Sequence, residues 1–187
     1  MIPIKNRKKT LEATVEEMRN LSFSYLEKFS PSKQQLKTYL LKKYLKSSVP
    51  SVKKENISDL VNLVTEDLEK TKFFNDRFYS ESKAKNLIQK GSSINKIRNY
   101  LISKGIQDEH IKQTINKIKE QNEDQDFFSA IKICKKKRIG PAREQDNRSL
   151  FYKKDISILA RSGFDFETSK KVMDIKKDDY IKIVSFL

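Results

Sequence analysis

The residue types best suited to chemistry are sparse in this chain, and their surroundings argue against catalysis. His110 is the one histidine. With no Cys or second His near it, it forms neither a zinc ligand set nor half of a nucleophilic pair. Cys134 is the one cysteine. It shares a helical stripe with Phe127, Ala130 and Ile131, the setting of a small buried hydrophobe rather than a reactive thiol. A single Cys also excludes an internal disulfide framework and fits a reducing, cytoplasmic compartment. The acid pairs Asp108/Glu109 and Asp178/Asp179 sit at helix starts, where carboxylates favour the helix dipole. No Gly-rich phosphate loop, Walker lysine or dinucleotide fingerprint occurs, and the four glycines at 91, 105, 140 and 163 read as helix stops. The expectation is a protein with no catalytic residue, no metal and no cofactor.

What remains is cationic surface chemistry. Lys and Arg number 40 against 25 acids, a net charge of +15 that favours an anionic partner: nucleic acid, an acidic protein surface or a membrane face. The charge is unevenly distributed. Residues 28–54 hold eight Lys and no acid, residues 83–104 five Lys and one Arg with no acid, and residues 127–161 ten bases and three acids. Residues 55–69 hold five acids and no base. A basic run on one helix is ordinarily a solvated face; three such runs at a regular interval are harder to explain that way.

The elements that must carry these charges repeat. The segment GSSINKIRNYLISKGI (91–106) places Ile94, Ile97 and Leu101 on one stripe of a helix and Lys96, Asn99 and Ser103 on the opposite face. Ser92 or Ser93 caps its start and Gly105 ends it. Thirteen of these residues, INKIRNYLISKGI (94–106), align without a gap to KQQLKTYLLKKYL (33–45) and YKKDISILARSGF (152–164), so that Leu40, Leu101 and Leu159 coincide. DRFYSESKAKNLIQKG (76–91) aligns in turn with QDFFSAIKICKKKRIG (125–140), pairing Phe78 with Phe127 and Gly91 with Gly140. A third helix follows at 57–70, 106–118 and 164–175.

The fold class is therefore all-α, as three tandem three-helix units at 14–72, 73–122 and 123–187 behind a basic extension at 1–13. The Ser-, Pro- and Lys-rich stretch 46–56 and the stretch IGPAREQDNRS (139–149) read as loops. A short extra turn is expected at DDYIKIVSFL. No run of about eighteen uncharged apolar residues suggests a membrane span, and the N-terminus lacks the apolar core of a signal peptide. The aromatic residues Phe78, Tyr79, Phe127 and Phe128 could stack on bases. Their equivalent places on equivalent helices argue instead for packing of each unit against its neighbour.

Three blocks carry a family resemblance: SPSKQQLKTYLLKKYL, FFNDRFYSESKAKNLIQKGSSINKIRNYLISKGIQDEHI and LARSGFDFETSKKVM, in that order. Over about 14–175 the chain resembles the RecX family of recombination regulators. The resemblance implies an elongated, curved molecule that lies in the helical groove of the RecA filament on single-stranded DNA. It further implies inhibition of filament extension, ATP hydrolysis, strand exchange and co-protease activity. The chain departs from the family pattern at Asn75, Tyr79 and Asp155, the last where a Leu is usual. An acid there meets the core unless Ile156 takes over the stripe.

On this reading the partner is the RecA filament, bound by a monomer, with DNA phosphates as a second contact. The expected partner-binding residues are Lys37, Lys42 and Lys43 in the first unit and Lys96 and Arg98 in the second. In the third they are Lys132, Lys135, Lys136, Arg143 and Arg148, all taken as outward or loop positions. They would pair with acidic groove residues or phosphates, Arg being the better fork for a carboxylate. The competing reading is a stand-alone basic nucleic-acid-binding module.

Overall fold

A computed structural model describes residues 11–47 and 54–187, and every regular element among them is helical. The expected all-α class is what the structure has. In chain order the helices are α1 (Val15–Phe29), α2 (Lys33–Ser47), α3 (Lys54–Lys70), α4 (Asp76–Gln89), α5 (Ile94–Ser103), α6 (Asp108–Gln121), α7 (Gln125–Lys137), α8 (Gln145–Arg161), α9 (Phe166–Met173) and α10 (Lys177–Ser185). A 3₁₀ turn, Gly140–Ala142, lies between α7 and α8. The chain divides into two compact units, Met1–Tyr79 and Ser80–Leu187, the division falling within α4. Most of the stretch 46–56 and most of the N-terminal extension lie outside the described residues.

The first unit packs α1, α2 and α3 on one another. Its core takes Leu36, Leu40 and Tyr44 from α2 and Ile57, Val61, Val64 and Leu68 from α3, with Met18 from α1. Those spacings of three and four put each set on one helical face, so burial follows from the period of the sequence. Arg19 of α1 pairs with Asp67 of α3 at 2.7 Å across the edge of this core.

In the second unit α5 and α6 bury Ile97, Leu101, Ile111, Ile115 and Ile118. A separate cluster gathers Ala130, Ile131, Cys134, Ile139, Leu159, Phe164, Val172, Met173 and Tyr180. Burial pushes the Cys134 thiol up to about 12, with the Asp155 carboxylate adding to the shift, so it stays a neutral core group. His110 is half-buried near the start of α6.

The central helices obey the aligned register. Leu40, Leu101 and Leu159 are all fully buried, on α2, α5 and α8. The chain leaves α5 and α8 by the same turn. Ile106 N–H donates to the Leu101 carbonyl at 3.2 Å and Phe164 N–H to the Leu159 carbonyl at 3.3 Å, each beside a left-handed glycine, Gly105 or Gly163. The starts differ. α2 and α5 begin at the aligned residues Lys33 and Ile94, whereas α8 begins at Gln145, seven residues before the aligned Tyr152. The first residues of α8, 145–149, thus occupy what the sequence reads as the end of a loop.

One further aligned position exposes a chemical exception. Leu36, Ile97 and Asp155 occupy the same register, and all three are fully buried. Ile156 does not displace the acid from the stripe; it packs half-buried beside the core. The carboxylate is instead satisfied. Arg143 donates to it from Nε at 2.6 Å and from Nη2 at 2.9 Å, and Gly140 N–H donates at 2.8 Å. Burial alone would raise its pKa, but the Arg143 fork and the Gly140 N–H outweigh that and hold it below the ordinary 3.8.

Two outcomes test this packing. Leu101→Ala should cost about 2 to 5 kcal/mol in urea unfolding, through lost contacts and the cavity left behind; a near-neutral result would show the units misaligned. Arg143→Met should cost about 3 kcal/mol or more by stranding a buried carboxylate, while Arg143→Met with Asp155→Leu should recover most of it. Because the Asp155 pKa is depressed by folding, its contribution is complete above its unfolded value and lost as pH falls through the folded one. The stability gap between the native chain and the double variant should therefore shift against the native chain only on acidification below about pH 4.

Candidate functional site

The densest cationic feature is the last turn of α7, where Lys135, Lys136 and Lys137 follow Lys132. Their backbone placement follows from the stripe that α7 buries: Ala130, Ile131 and Cys134 face the core, leaving Lys135 and Lys136 exposed and Lys132 half-buried. The helix stops at Arg138, which is in the left-handed region with φ 53°, and Ile139 N–H returns to the Cys134 carbonyl at 3.1 Å. Gly140, read from sequence as the stop, instead opens the 3₁₀ turn and donates to Asp155. Cations at a helix C-terminus are favourable by about 0.3 to 1 kcal/mol each, which partly offsets their mutual repulsion.

The end of α4 is held against this turn. Gly91, at φ 77°, closes α4 with its N–H on the Ile88 carbonyl at 2.9 Å. A Cβ on it would stand 3.0 Å from the Ser129 carbonyl oxygen and 3.1 Å from Lys132 Cβ, so the approach depends on glycine. Lys90 is thereby brought to α7. Gln89, Lys90, Lys132, Lys135, Lys136 and Leu187 line one open groove of about 640 Å³. Lys90 was not among the residues expected from sequence. Its signal was the aligned pair Gly91 and Gly140, read as two helix stops when one of them is a helix contact.

Some lysines elsewhere are paired with acids: Lys33 with Glu69 at 2.6 Å, Lys112 with Asp108 at 2.7 Å, Lys117 with Glu81 at 2.9 Å. Among the described residues Lys90, Lys132, Lys135 and Lys136 have no such acid.

The other expected residues do not join it. Lys96 is exposed near the crossing of α5 and α8. There Ser93 Oγ accepts from Lys96 N–H at 3.1 Å and donates to the Ser162 carbonyl at 3.0 Å. Gly163, at φ 91°, lies so close that a Cβ would collide with that hydroxyl. Arg98 is half-buried on α5. Lys37 is half-buried and Lys42 and Lys43 are exposed on α2, in the first unit.

Arg143 lies in the loop before α8, as expected, but turns inward. Arg148 departs from the expectation by lying on a helix with its side chain turned inward. Arg143 is bound to Asp155 and lies 4.4 Å over the Phe151 ring. Arg148 belongs to α8, and its guanidinium donates to the carbonyls of Met173 at 2.6 Å and Ile175 at 2.7 Å, closing the end of α9. Both forks are used inside the unit because the carboxylate and the free carbonyls lie within their reach. The aromatic residues also divide. Phe127 and Phe128 are half-buried and meet edge to face at 5.5 Å, and Tyr79 is buried, but Phe78 is 60% exposed and packs poorly.

Among the described residues no group of three or more His, Cys, Asp or Glu could hold a metal ion, and no helix is long and apolar enough to cross a membrane. The chain is similar to Regulatory protein RecX of Myxococcus xanthus (strain DK1622), 29% identical over 160 residues, which is 84% of each chain. No family model matches the sequence. No solved structure matches it either. The family resemblance read from the three sequence blocks is thus supported by a relative spanning most of the chain.

Reversing Lys132, Lys135 and Lys136 to Glu should leave helix content, by far-ultraviolet circular dichroism, within a few per cent of the native value, because none of the three contributes to the buried stripe. A large loss would mean that the turn is a structural element rather than a free surface.

Proposed function

We propose that this chain is a RecX-type regulator of the RecA recombinase, a cytoplasmic protein without enzymatic activity. It acts by binding the RecA filament on single-stranded DNA and restraining its extension, ATP hydrolysis, strand exchange and co-protease activity. Its setting is then recombinational DNA repair and the SOS response. The observation that carries this reading is the relative named a regulatory protein, aligned over 84% of both chains. Lys90, Lys132, Lys135 and Lys136, which meet no acid side chain among the described residues, support it, since a regulator that works by contact needs a surface whose charge is not already neutralised at home.

The three-unit organisation at 14–72, 73–122 and 123–187 belongs to the same proposal. The common burial of Leu40, Leu101 and Leu159 favours it. Similar surfaces set out at intervals along a chain suit a polymer whose subunits also repeat, because each added contact raises avidity without a new kind of contact. The same reading takes the chain to act as a monomer.

A second reading, a basic module that binds nucleic acid without RecA, rests on the net charge of +15. Salt separates the two. Phosphate binding weakens linearly in log–log form, with a slope of about −0.7 to −0.9 per phosphate neutralised, whereas a protein complex with apolar anchors persists at salt that strips DNA.

The expected result is that sub-stoichiometric chain lowers the single-strand-dependent ATPase of the cognate RecA. Lys132, Lys135 and Lys136 reversed to Glu should abolish most of the effect. The same reversal at Lys5, Arg7 and Lys8, equal in charge but outside the helical units, should keep it. Equal loss from both would assign the activity to bulk charge, and no inhibition by the native chain would overturn the proposal.

A further inference from the structure

The lysine groove is one half of a larger surface. A second concavity of about 420 Å³ adjoins it, lined by Asn122, Gln125, Phe128, Lys132, Ile183, Phe186 and Leu187. Lys132 and Leu187 belong to both. Two apolar side chains of the second concavity are left in water: Phe186 is 89% exposed and Leu187 43%. A partly apolar hollow thus opens directly into four lysines that meet no acid side chain among the described residues.

We infer that this composite surface takes an acidic peptide segment carrying a bulky apolar anchor. The anchor would fill the Phe128, Ile183 and Phe186 hollow, and the carboxylates beside it would lie along Lys90, Lys132, Lys135 and Lys136. Charge complementarity names the sign of the partner, and the layout names its class. Apolar and cationic parts are segregated, with Lys132 at the junction, which matches a segment with its anchor at one end and acids at the other. Single-stranded nucleic acid alternates base and phosphate at every nucleotide and calls for aromatic platforms interleaved with the cations. Here the hollow is partly aliphatic, and the lysines form a continuous run beside it. Lysine, a point charge on a flexible stem, suits carboxylates at variable spacing better than a fixed bidentate fork.

The inference rests on the reading of the chain as a protein-binding regulator and specifies the chemistry of the segment that it grips. Its test needs no RecA. The full chain is titrated, by fluorescence anisotropy at about 0.15 M salt, against three labelled probes. These are a twelve-residue peptide with a Leu-Phe pair followed by six Glu, the same peptide with the pair changed to Ser, and a fifteen-nucleotide oligo(dT). The anchored peptide should bind at least tenfold tighter than its Ser version. Lys135→Glu with Lys136→Glu should weaken it at least tenfold, and Phe186→Ala, at an exposed site where folding is not at risk, at least threefold. Oligo(dT) binding should ignore Phe186→Ala.

Equal binding of the two peptides, or indifference to Phe186, would overturn the inference. A loss of oligo(dT) binding matching that of the peptide on Phe186→Ala would reassign the surface to single-stranded nucleic acid. Binding of anionic phosphatidylserine vesicles in preference to the anchored peptide would reassign it to a membrane face. The ATPase assay fails or succeeds independently: inhibition without peptide selectivity removes this inference alone, and selectivity without inhibition removes the RecA reading alone.

Discussion

The carboxylate of Asp155 is the constraint around which the last group of helices is arranged. It stands in the core register that Leu36 and Ile97 fill in the other central helices, and no part of it reaches solvent. A bare carboxylate there would cost several kcal/mol, so the chain must bring donors to it. Gly140 and Arg143 do so from the segment between α7 and α8. That requirement explains why this segment is a tight 3₁₀ turn rather than an open loop. It also explains why glycine is needed within it: a Cβ on Gly140, already at φ 55°, would stand 2.5 Å from the Met173 sulfur. Removing the side chain lets α9 close down on the turn. The pair is not an obvious source of stability relative to two apolar residues, and its effect is to fix one path for the chain.

A consequence is that two arginines of this region, Arg143 and Arg148, are internal fittings, while Arg138 and Arg161 stay exposed. Arg143 neutralises the acid, and Arg148, one turn into α8, ties down the carbonyls that end α9. Lys177 Nζ donates in turn to the Arg143 carbonyl at 3.1 Å, which draws α10 to the same knot. Here two forked guanidiniums meet a buried carboxylate and the carbonyls at the end of α9, whereas Lys132, Lys135 and Lys136 meet none.

This division marks where sequence reading succeeds and where it stops. Helix identity, the buried leucines and the exits at Gly105 and Gly163 were legible because each depends on local period and local stop chemistry. Ser93, one of the two serines read as caps for α5, does accept the Lys96 N–H. The early start of α8 was not legible, because Arg148 and Asn147 sit in a polar run that reads as loop until its contacts with α9 are known. Nor was the inward turn of the half-buried Arg143. A sequence shows an acid out of place at 155 but not which of the nearby bases turns inward to meet it. Phe78 misled for a related reason: its alignment with Phe127 is sound, yet one ring finds a partner and the other stays largely in water.

The glycines make the same point in backbone terms, and they bear on the site. Gly91 and Gly163 each end a helix, but each also sits where another helix leaves no room for a Cβ, against α7 in one case and against the start of α5 in the other. A stop signal can be read from one segment; a close approach belongs to two. It is the approach at Gly91, not the stop, that sets Lys90 beside Lys132, Lys135 and Lys136. Gathering those charges costs repulsion that the helix dipole of α7 offsets only in part. Among the described residues none of these four lysines meets an acid side chain, so that repulsion is offset only by solvent and by the dipole.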